Sequence, residues 1–189
     1  MVKTNSEDPY ENNLQTNGKN NEHSEKSDEV DELELKAVVD GEIIPIEEVK
    51  DPLFSNKVLG DGYGIIPTGK KIYSPIDGRI EKTASTHHAI YLSTPDNIKL
   101  LIHIGIDTVE LKGEGFESNI EQGAKVSKGD VLIEFDPKFV VDEGYNSVVS
   151  VIILNSTDGD ISTELIANKD KEVIGNQTAV LRTLIHKSN

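Results

Sequence analysis

Short runs rich in Val and Ile, separated by glycine and aspartate turns, recur along residues 37–189. Many such runs at close, regular spacing predict a β-sandwich or barrel. The pattern therefore predicts an all-β domain, an antiparallel sandwich or barrel-like fold with short helical turns. Helical spacing is scarce, and only residues 117–122 and 163–168 are expected to form turns of helix. The predicted strands include GEIIPI, YGIIPTG, AIYLST, IKLLIHIGI, DVLIEFD and SVVSVIILN.

The composition changes near residue 36. Residues 1–36 hold 7 apolar side chains in 36 positions, whereas residues 37–189 hold 60 in 153. So few apolar groups cannot offset the entropy lost on folding. We therefore predict a disordered acidic tail over 1–36 and one domain over 37–189, with an arm that folds on a partner as the alternative. The last part of the tail, 29–36, shows weak helical spacing without an apolar face.

Charge and composition exclude several classes of protein. The chain has 34 Asp and Glu against 19 Lys and Arg, a net charge of −15, which repels nucleic acids and anionic lipid headgroups. Cysteine is absent, which excludes disulfides, thiolate metal sites and cysteine nucleophiles. No apolar run approaches the roughly 20 residues that span a bilayer, and no signal peptide is recognisable. The expected location is the cytoplasm, without membrane insertion.

The run KLLIHIGIDT at 99–108 places a histidine in the middle of a predicted strand. Alternation assigns four aliphatic residues to the core face, namely Leu100, Ile102, Ile104 and Ile106. The opposite face then carries Leu101, His103, Gly105 and Asp107. A mid-strand His103 on the outward face is not a packing residue, and Gly105 would let another molecule approach it. An ordinary surface histidine is the alternative interpretation of His103.

A second histidine, His88, precedes the next strand in the run THHAI at 86–90. Alternation alone does not assign His88 to a face. Adjacent strands lie about 4.8 Å apart, so a hairpin through a turn at Pro95 and Asp96 permits contact between His88 and His103. The periodicity leaves that contact open.

At these residues the sequence resembles the glucose-type enzyme IIA domain of the bacterial phosphoenolpyruvate-dependent sugar phosphotransferase system. The resemblance spans roughly residues 40–185, and the run HIGIDTVELKGEGF is its most specific part. The other matching runs are VLGDGYGIIPTG, YSPIDGRI, THHAI and VSKGDVLIEFD.

The resemblance implies a phosphocarrier. His103 matches the family histidine that accepts a phosphoryl group from the carrier protein HPr, as tele-phosphohistidine, and donates it to an enzyme IIB domain. His88 matches the second family histidine, which stabilises the transition state, and Thr86 matches the threonine that orients it. His87 falls at a variable position and is assigned no role. Because no IIB or membrane segment is recognisable, the chain is expected to act in trans.

These residue types suit the implied chemistry. A neutral imidazole is nucleophilic near pH 7, provided that one ring nitrogen is held as a donor and the other is free. A carbonyl near Gly105 is the expected holder. Transfer between histidines needs no cofactor, although two neighbouring imidazoles could recruit zinc incidentally.

The resemblance also implies a partner-binding surface around the histidines, a shallow apolar patch ringed by acids. Asp51 and Asp107 are expected to meet arginines of a basic carrier. Turn capping is the alternative role for Asp107. The patch positions are Phe54, Leu59, Ala84 and Leu101.

Three alternatives have distinct signatures. A zinc metallopeptidase on a related sandwich needs a third ligand and commonly an H-x-H pair, but position 105 is Gly. A biotinyl or lipoyl carrier would share hairpins like YSPIDGRI and VSKGDVL, but its lysine context is missing. A regulatory protein on the same fold, which signals through its phosphorylation state, is the remaining alternative.

Overall fold

Antiparallel strands make up most of the computed structural model, which describes residues 30–155 and 159–187. The predicted all-β fold with short helical turns is confirmed. The strands are Val30–Lys36 (β1), Gly41–Pro45 (β2), Gly60–Pro67 (β3), Lys71–Tyr73 (β4), Gly78–Thr83 (β5), Ala89–Ser93 (β6), Lys99–Ile106 (β7), Phe116–Glu117 (β8), Lys125–Val126 (β9), Val131–Phe135 (β10), Asn146–Leu154 (β11), Gly159–Leu165 (β12), Glu172–Val173 (β13) and Ala179–Lys187 (β14).

Three sheets are formed by the described strands. The largest has the order β13-β2-β3-β11-β7-β6-β5-β9, and the two smaller sheets have the orders β1-β14-β12 and β4-β10-β8. The main core contains residues from all three sheets, such as Leu35, Ile102 and Ile133. A second apolar cluster contains Leu101, Ile152 and Phe54. Since Leu101 and Ile152 alternate with main-core residues along β7 and β11, the large sheet buries apolar side chains on both faces.

Two short helices and two 3-10 turns interrupt the strands. The helices are Pro52–Ser55 (α1) and Pro137–Asp142 (α2), and the 3-10 turns are Ile46–Glu48 and Thr108–Leu111. Each α-helix starts with an Asp cap followed by Pro at its first position, a pattern that favours helix initiation. The expected turns at 117–122 and 163–168 were wrong, because Glu117 lies in β8 and residues 163–165 lie in β12. None of the helices in the described part of the chain is long and apolar enough to cross a membrane.

The domain begins earlier than predicted. Residues 30–36, assigned to the disordered tail, form β1 and pair with β14 from Val30↔His186 onwards. Leu35 is fully buried in the main core. The segment has no helical face because its apolar side chains, Leu33 and Leu35, alternate at the period of a strand. The predicted tail over 1–29 lies outside the described residues.

Candidate functional site

His103 lies in the middle of β7, on the face of the large sheet that also carries the second apolar cluster. The predicted core residues Leu100, Ile102 and Ile104 are fully buried in the main core, which confirms the alternation. His103 is partly buried, so its ring is neither fully exposed nor enclosed.

The alternation ends at Gly105. Ile106 was predicted to face the main core, but it packs against the second apolar cluster. Gly105 has φ +76°, and the register between β7 and β11 shifts by one residue between Asn146 and Val149, an irregularity of the kind that a β-bulge on β11 produces. A bulge changes the face on which the following side chains lie. The backbone conformation of Gly105 by itself favours glycine at this position. The approach of another molecule at Gly105 stays a prediction.

The bulge directs the Gly105 carbonyl onto the His103 ring. His103 Nδ1 lies 2.8 Å from the Gly105 oxygen. A carbonyl oxygen only accepts hydrogen bonds, so Nδ1 carries the proton and donates it. Nε2 then keeps its lone pair, which is the arrangement that a nucleophilic imidazole needs. The expected holder near Gly105 is present.

The second ring lies beside the first. The centroids of His88 and His103 are 5.3 Å apart, and the ring planes meet at 78°. The strand pairing explains this contact, because Ala89 on β6 lies opposite His103 on β7 in the hairpin that the sequence permitted. Thr86 Oγ1 lies 2.6 Å from His88 Nδ1. The three residues selected from the sequence therefore form one cluster.

The environment favours the neutral form of both imidazoles. Burial lowers the pKa of His103 below its usual value of 6.5, although the Gly105 hydrogen bond, Asp51 and Asp107 act in the opposite direction. Burial and the neighbouring His103 lower the pKa of His88. At neutral pH both rings are thus uncharged, and His103 can act as a nucleophile.

The expected apolar patch is arranged differently from the prediction. Phe54 and Leu101 are only 3% and 2% exposed, so they offer almost no contact surface. They lie in the second apolar cluster, and Phe54 places its ring edge against His103 with centroids 5.2 Å apart. Both residues therefore belong to the apolar packing of the site and do not form a surface for a partner. Leu59 and Ala84 are partly buried and pack against the same cluster.

Other apolar side chains are exposed on the elements next to His103. They were missed because their exposure depends on how α1 and the 3-10 turn after β7 pack, which periodicity does not encode. The Asp51–Pro52 pair is a helix-start signal, and it was the one pattern in the sequence that could have indicated a short helix at Leu53. They are Leu53 in α1, Val58 just after it and Val109 in the 3-10 turn, at 52%, 56% and 47% exposure.

The two acids near His103 differ in their local roles. Asp51 caps α1 and accepts a hydrogen bond from the Leu53 N–H at 2.8 Å. Asp107 adopts a left-handed conformation with φ 59° and makes no capping hydrogen bond with its side chain. The capping alternative therefore applies to Asp51 and not to Asp107.

The histidine pair has no third metal ligand in the described residues. Among residues 30–155 and 159–187 no group of three or more His, Asp or Glu side chains is arranged to hold a metal. His87 adjoins His88 in sequence but lines a separate groove with Glu117 and Glu134. The donor set therefore fits two imidazoles at most, which is incomplete for a catalytic zinc site with three protein ligands.

Fold and site together define a β-sandwich protein with a paired-histidine site on one sheet face. The family model for the phosphoenolpyruvate-dependent sugar phosphotransferase system, EIIA 1, matches residues 33–159. The chain belongs to this EIIA family. The match starts within β1, in agreement with the structural start of the domain.

Curated relatives carry the corresponding names. The glucose-specific EIIA component of Haemophilus influenzae is 40% identical over 150 residues, which is 79% of this chain and 88% of the relative. That of Staphylococcus epidermidis is 38% identical over 158 residues, covering 82% and 93%. A glucose-specific EIICBA component of Staphylococcus saprophyticus is 42% identical over 142 residues, 75% of this chain but only 20% of that longer protein.

A solved structure supports the same assignment. The glucose permease IIA from Mycoplasma capricolum superposes with a TM-score of 0.69 at 32% identity. The match covers 80% of this chain and 96% of that chain.

Proposed function

We propose that this protein is a cytoplasmic phosphocarrier of the sugar phosphotransferase system. His103 Nε2 accepts a phosphoryl group from the phosphohistidine of HPr and donates it to the IIB domain of a sugar permease in trans. The observation that carries the proposal is the hydrogen bond from His103 Nδ1 to the Gly105 carbonyl beside a second histidine. Because its relatives are named glucose-specific, glucose is the first sugar to test.

The proposed transfer is a displacement at phosphorus, in which the His103 ring replaces the imidazole of the donor. The Nε2 lone pair of His103 forms a P–N bond as the P–N bond to the donor imidazole breaks, and that imidazole leaves with the electron pair. Nδ1 keeps its proton, and its bond to the Gly105 carbonyl stabilises the positive charge that the ring gains. The reverse displacement delivers the group to the next carrier. Imidazole supplies the nucleophile, so the proposed reaction requires no metal or cofactor.

His88 has the position of a donor to the transferring group. If the Thr86 hydroxyl donates to His88 Nδ1, the proton of a neutral His88 lies on Nε2. That N–H can then stabilise the phosphoryl oxygens, on which negative charge builds up in the transition state. Thr86 thereby selects the tautomer of His88 in which the Nε2–H group can donate to the phosphoryl oxygens.

The partner surface consists of the exposed apolar residues and the acids around His103. Leu53, Val58 and Val109 supply apolar contact area, and Asp51 and Asp107 supply negative charge. A basic carrier with an apolar centre around its phosphohistidine fits this surface. HPr and the IIB domain would use it in turn.

The direct test is phosphorylation from phosphoenolpyruvate with enzyme I and HPr, followed by mapping of the labelled residue. We expect the unaltered protein to be labelled on His103 only and His103→Gln to take no label. We expect His88→Gln to be labelled but to pass the phosphoryl group poorly to a IIB domain. His87→Asn is the matched control, because Asn tolerates the left-handed conformation of position 87 and this side chain lies outside the pair. Label confined to His88, or its absence from the unaltered protein, would refute the proposal.

A further inference from the structure

The backbone groups of Ile104 have different hydrogen-bond partners, and only the N–H group bonds to His88. The Ile104 N–H donates to the His88 carbonyl at 2.7 Å, as in an antiparallel pair. The β6–β7 ladder begins at Ala89↔His103, so the reciprocal bond from the His88 N–H to the Ile104 carbonyl is not part of it in the described structure. The Ile104 carbonyl instead accepts the Thr108 hydroxyl at 2.5 Å. Thr108 is fully buried, so water does not replace that donor readily.

Thr108 also packs against the residue that holds the His103 ring. A Cβ built on Gly105 would lie 2.2 Å from Thr108 Cγ2 and 2.8 Å from the Asn146 carbonyl oxygen. Gly105 is therefore confined between the two chain segments at φ +76°. Thr108 contacts this backbone in two ways, because its hydroxyl binds Ile104 and its methyl group packs on Gly105.

We propose that Thr108 is a positioning residue for phosphoryl transfer, which acts through the backbone of Ile104 and Gly105 on both histidines. Its hydroxyl holds the Ile104 carbonyl, and through it the adjoining Gly105, whose carbonyl keeps the proton on His103 Nδ1. The Ile104 N–H fixes the backbone of His88 at the same time. The inference rests on the proposed function for its effect on transfer, but its effect on the tautomer of His103 does not.

The physical consequence of losing the hydroxyl follows from the burial. Without Thr108 Oγ1 the Ile104 carbonyl becomes a buried acceptor without a donor, which favours any backbone shift that finds one. Gly105 adjoins Ile104, so the Gly105 carbonyl moves relative to the ring. The proton of His103 then distributes between Nδ1 and Nε2, and the form protonated at Nε2 cannot attack phosphorus.

Three full-length variants separate the hydroxyl from the methyl group. Thr108→Val keeps the shape and removes the donor, whereas Thr108→Ser keeps the donor and removes the methyl group. The control is Thr183→Val, because Thr183 is also fully buried but lies in β14, and its hydroxyl has no hydrogen-bond partner among residues 30–155 and 159–187. The ring of His103 is observed by nitrogen-15 NMR, and the initial rate of labelling from phospho-HPr is measured on the same samples.

We expect Thr108→Val to populate the Nε2-protonated tautomer and to slow labelling about tenfold. Thr108→Ser and Thr183→Val should keep the tautomer and remain within about twofold of the original rate. Thr108→Val with the original tautomer and rate would overturn the inference. Equal loss in Thr108→Val and Thr108→Ser would also overturn it, since that result indicates packing alone. If the unaltered protein takes no label, the proposed function fails, while the NMR comparison still tests Thr108.

Discussion

At the scale of single residues, the partner of Nδ1 distinguishes the two histidines. His103 Nδ1 meets a carbonyl oxygen, which only accepts, so Nε2 must be the unprotonated nitrogen. His88 Nδ1 meets the Thr86 hydroxyl, which can donate, so Nε2 can carry the proton. One ring is thereby suited to attack and the other to donate, although the side chains are identical.

The lowered pKa of His103 predicts how labelling depends on pH. Burial disfavours the imidazolium, so the ring stays neutral below its ordinary pKa of 6.5. Labelling of His103 should therefore persist as the pH falls through 6.5 and decline only below it. The check is an NMR titration of the ring combined with labelling rates at several pH values, under conditions where HPr and enzyme I are not limiting. A His103 that protonates above pH 6.5 would contradict the prediction.

The same shift has a defined sign for stability. A histidine that resists protonation when folded binds fewer protons in the native state than in the unfolded state. The free energy of unfolding contributed by His103 should thus decrease as the pH falls below about 6.5. Denaturant unfolding of the original protein and of His103→Gln across this range measures the difference.

At the scale of elements, the bulge between β7 and β11 gives the site its geometry. It interrupts the alternation at Gly105, turns Ile106 towards the second apolar cluster and directs a carbonyl at His103. The β6–β7 pairing then brings His88 alongside. His103 lies on strand backbone, which is more rigid than a loop, whereas Thr86 and His88 lie in the turn just before β6.

Gly105→Ala should destabilise the protein by more than backbone conformation alone explains. A left-handed alanine costs about 1 kcal/mol, and the contacts with Thr108 and the Asn146 backbone add about 2 kcal/mol. Gly123→Ala is the matched control. Gly123 has φ +86°, and within the described part of the chain no heavy atom beyond its two chain neighbours lies within 4 Å of the place that a Cβ would take. Denaturant unfolding of both variants gives the comparison. Equal losses would contradict the role of packing at Gly105.

The second prediction at this scale is that strand β1 contributes to the stability of the domain. Leu35 is fully buried, so Leu35→Ala should lower the free energy of unfolding by about 3 kcal/mol. Glu34→Ala, on the exposed side of the same strand, should change it by less than about 0.5 kcal/mol. Denaturant unfolding measures both. If Leu35→Ala left the free energy of unfolding unchanged, residues 30–36 would not be part of the folded domain.

At the scale of the whole molecule, burial and charge serve different purposes. The large sheet packs apolar side chains on both faces, so His103 is supported by the main core on one side and surrounded by Phe54 and the second cluster on the other. The net charge of −15 contributes little to the fold but creates a long-range attraction for a basic partner.

That attraction predicts salt-sensitive association with HPr. Screening lengths shrink to about 3 Å at 1 M salt, so the association rate should fall about tenfold or more between low and high ionic strength. Asp107→Asn should lower the rate and its salt dependence, because it removes a negative charge near enough to His103 to raise the pKa of that ring. Asp160→Asn, at an exposed position of β12, is the control. Stopped-flow measurements of labelling would test this, and a rate independent of salt would contradict it.

Local patterns in the sequence were sufficient for the fold class and for the face of His103. Alternation with period two directly records which side chains of a strand are buried, and it placed Leu100, Ile102 and Ile104 correctly. The same period is present in residues 30–36, but the acidic composition concealed it. Glycine at 105 marked an irregularity in the strand without showing its consequence.

Only the tertiary structure decided which atoms meet. The contact between His88 and His103 and the burial of Phe54 and Leu101 arise from strand pairing and from the packing of α1. Such contacts join residues distant in sequence, and no local period encodes them. The sequence by itself therefore determined the residue types and their faces, whereas long-range packing determined their protonation, their exposure and their distances.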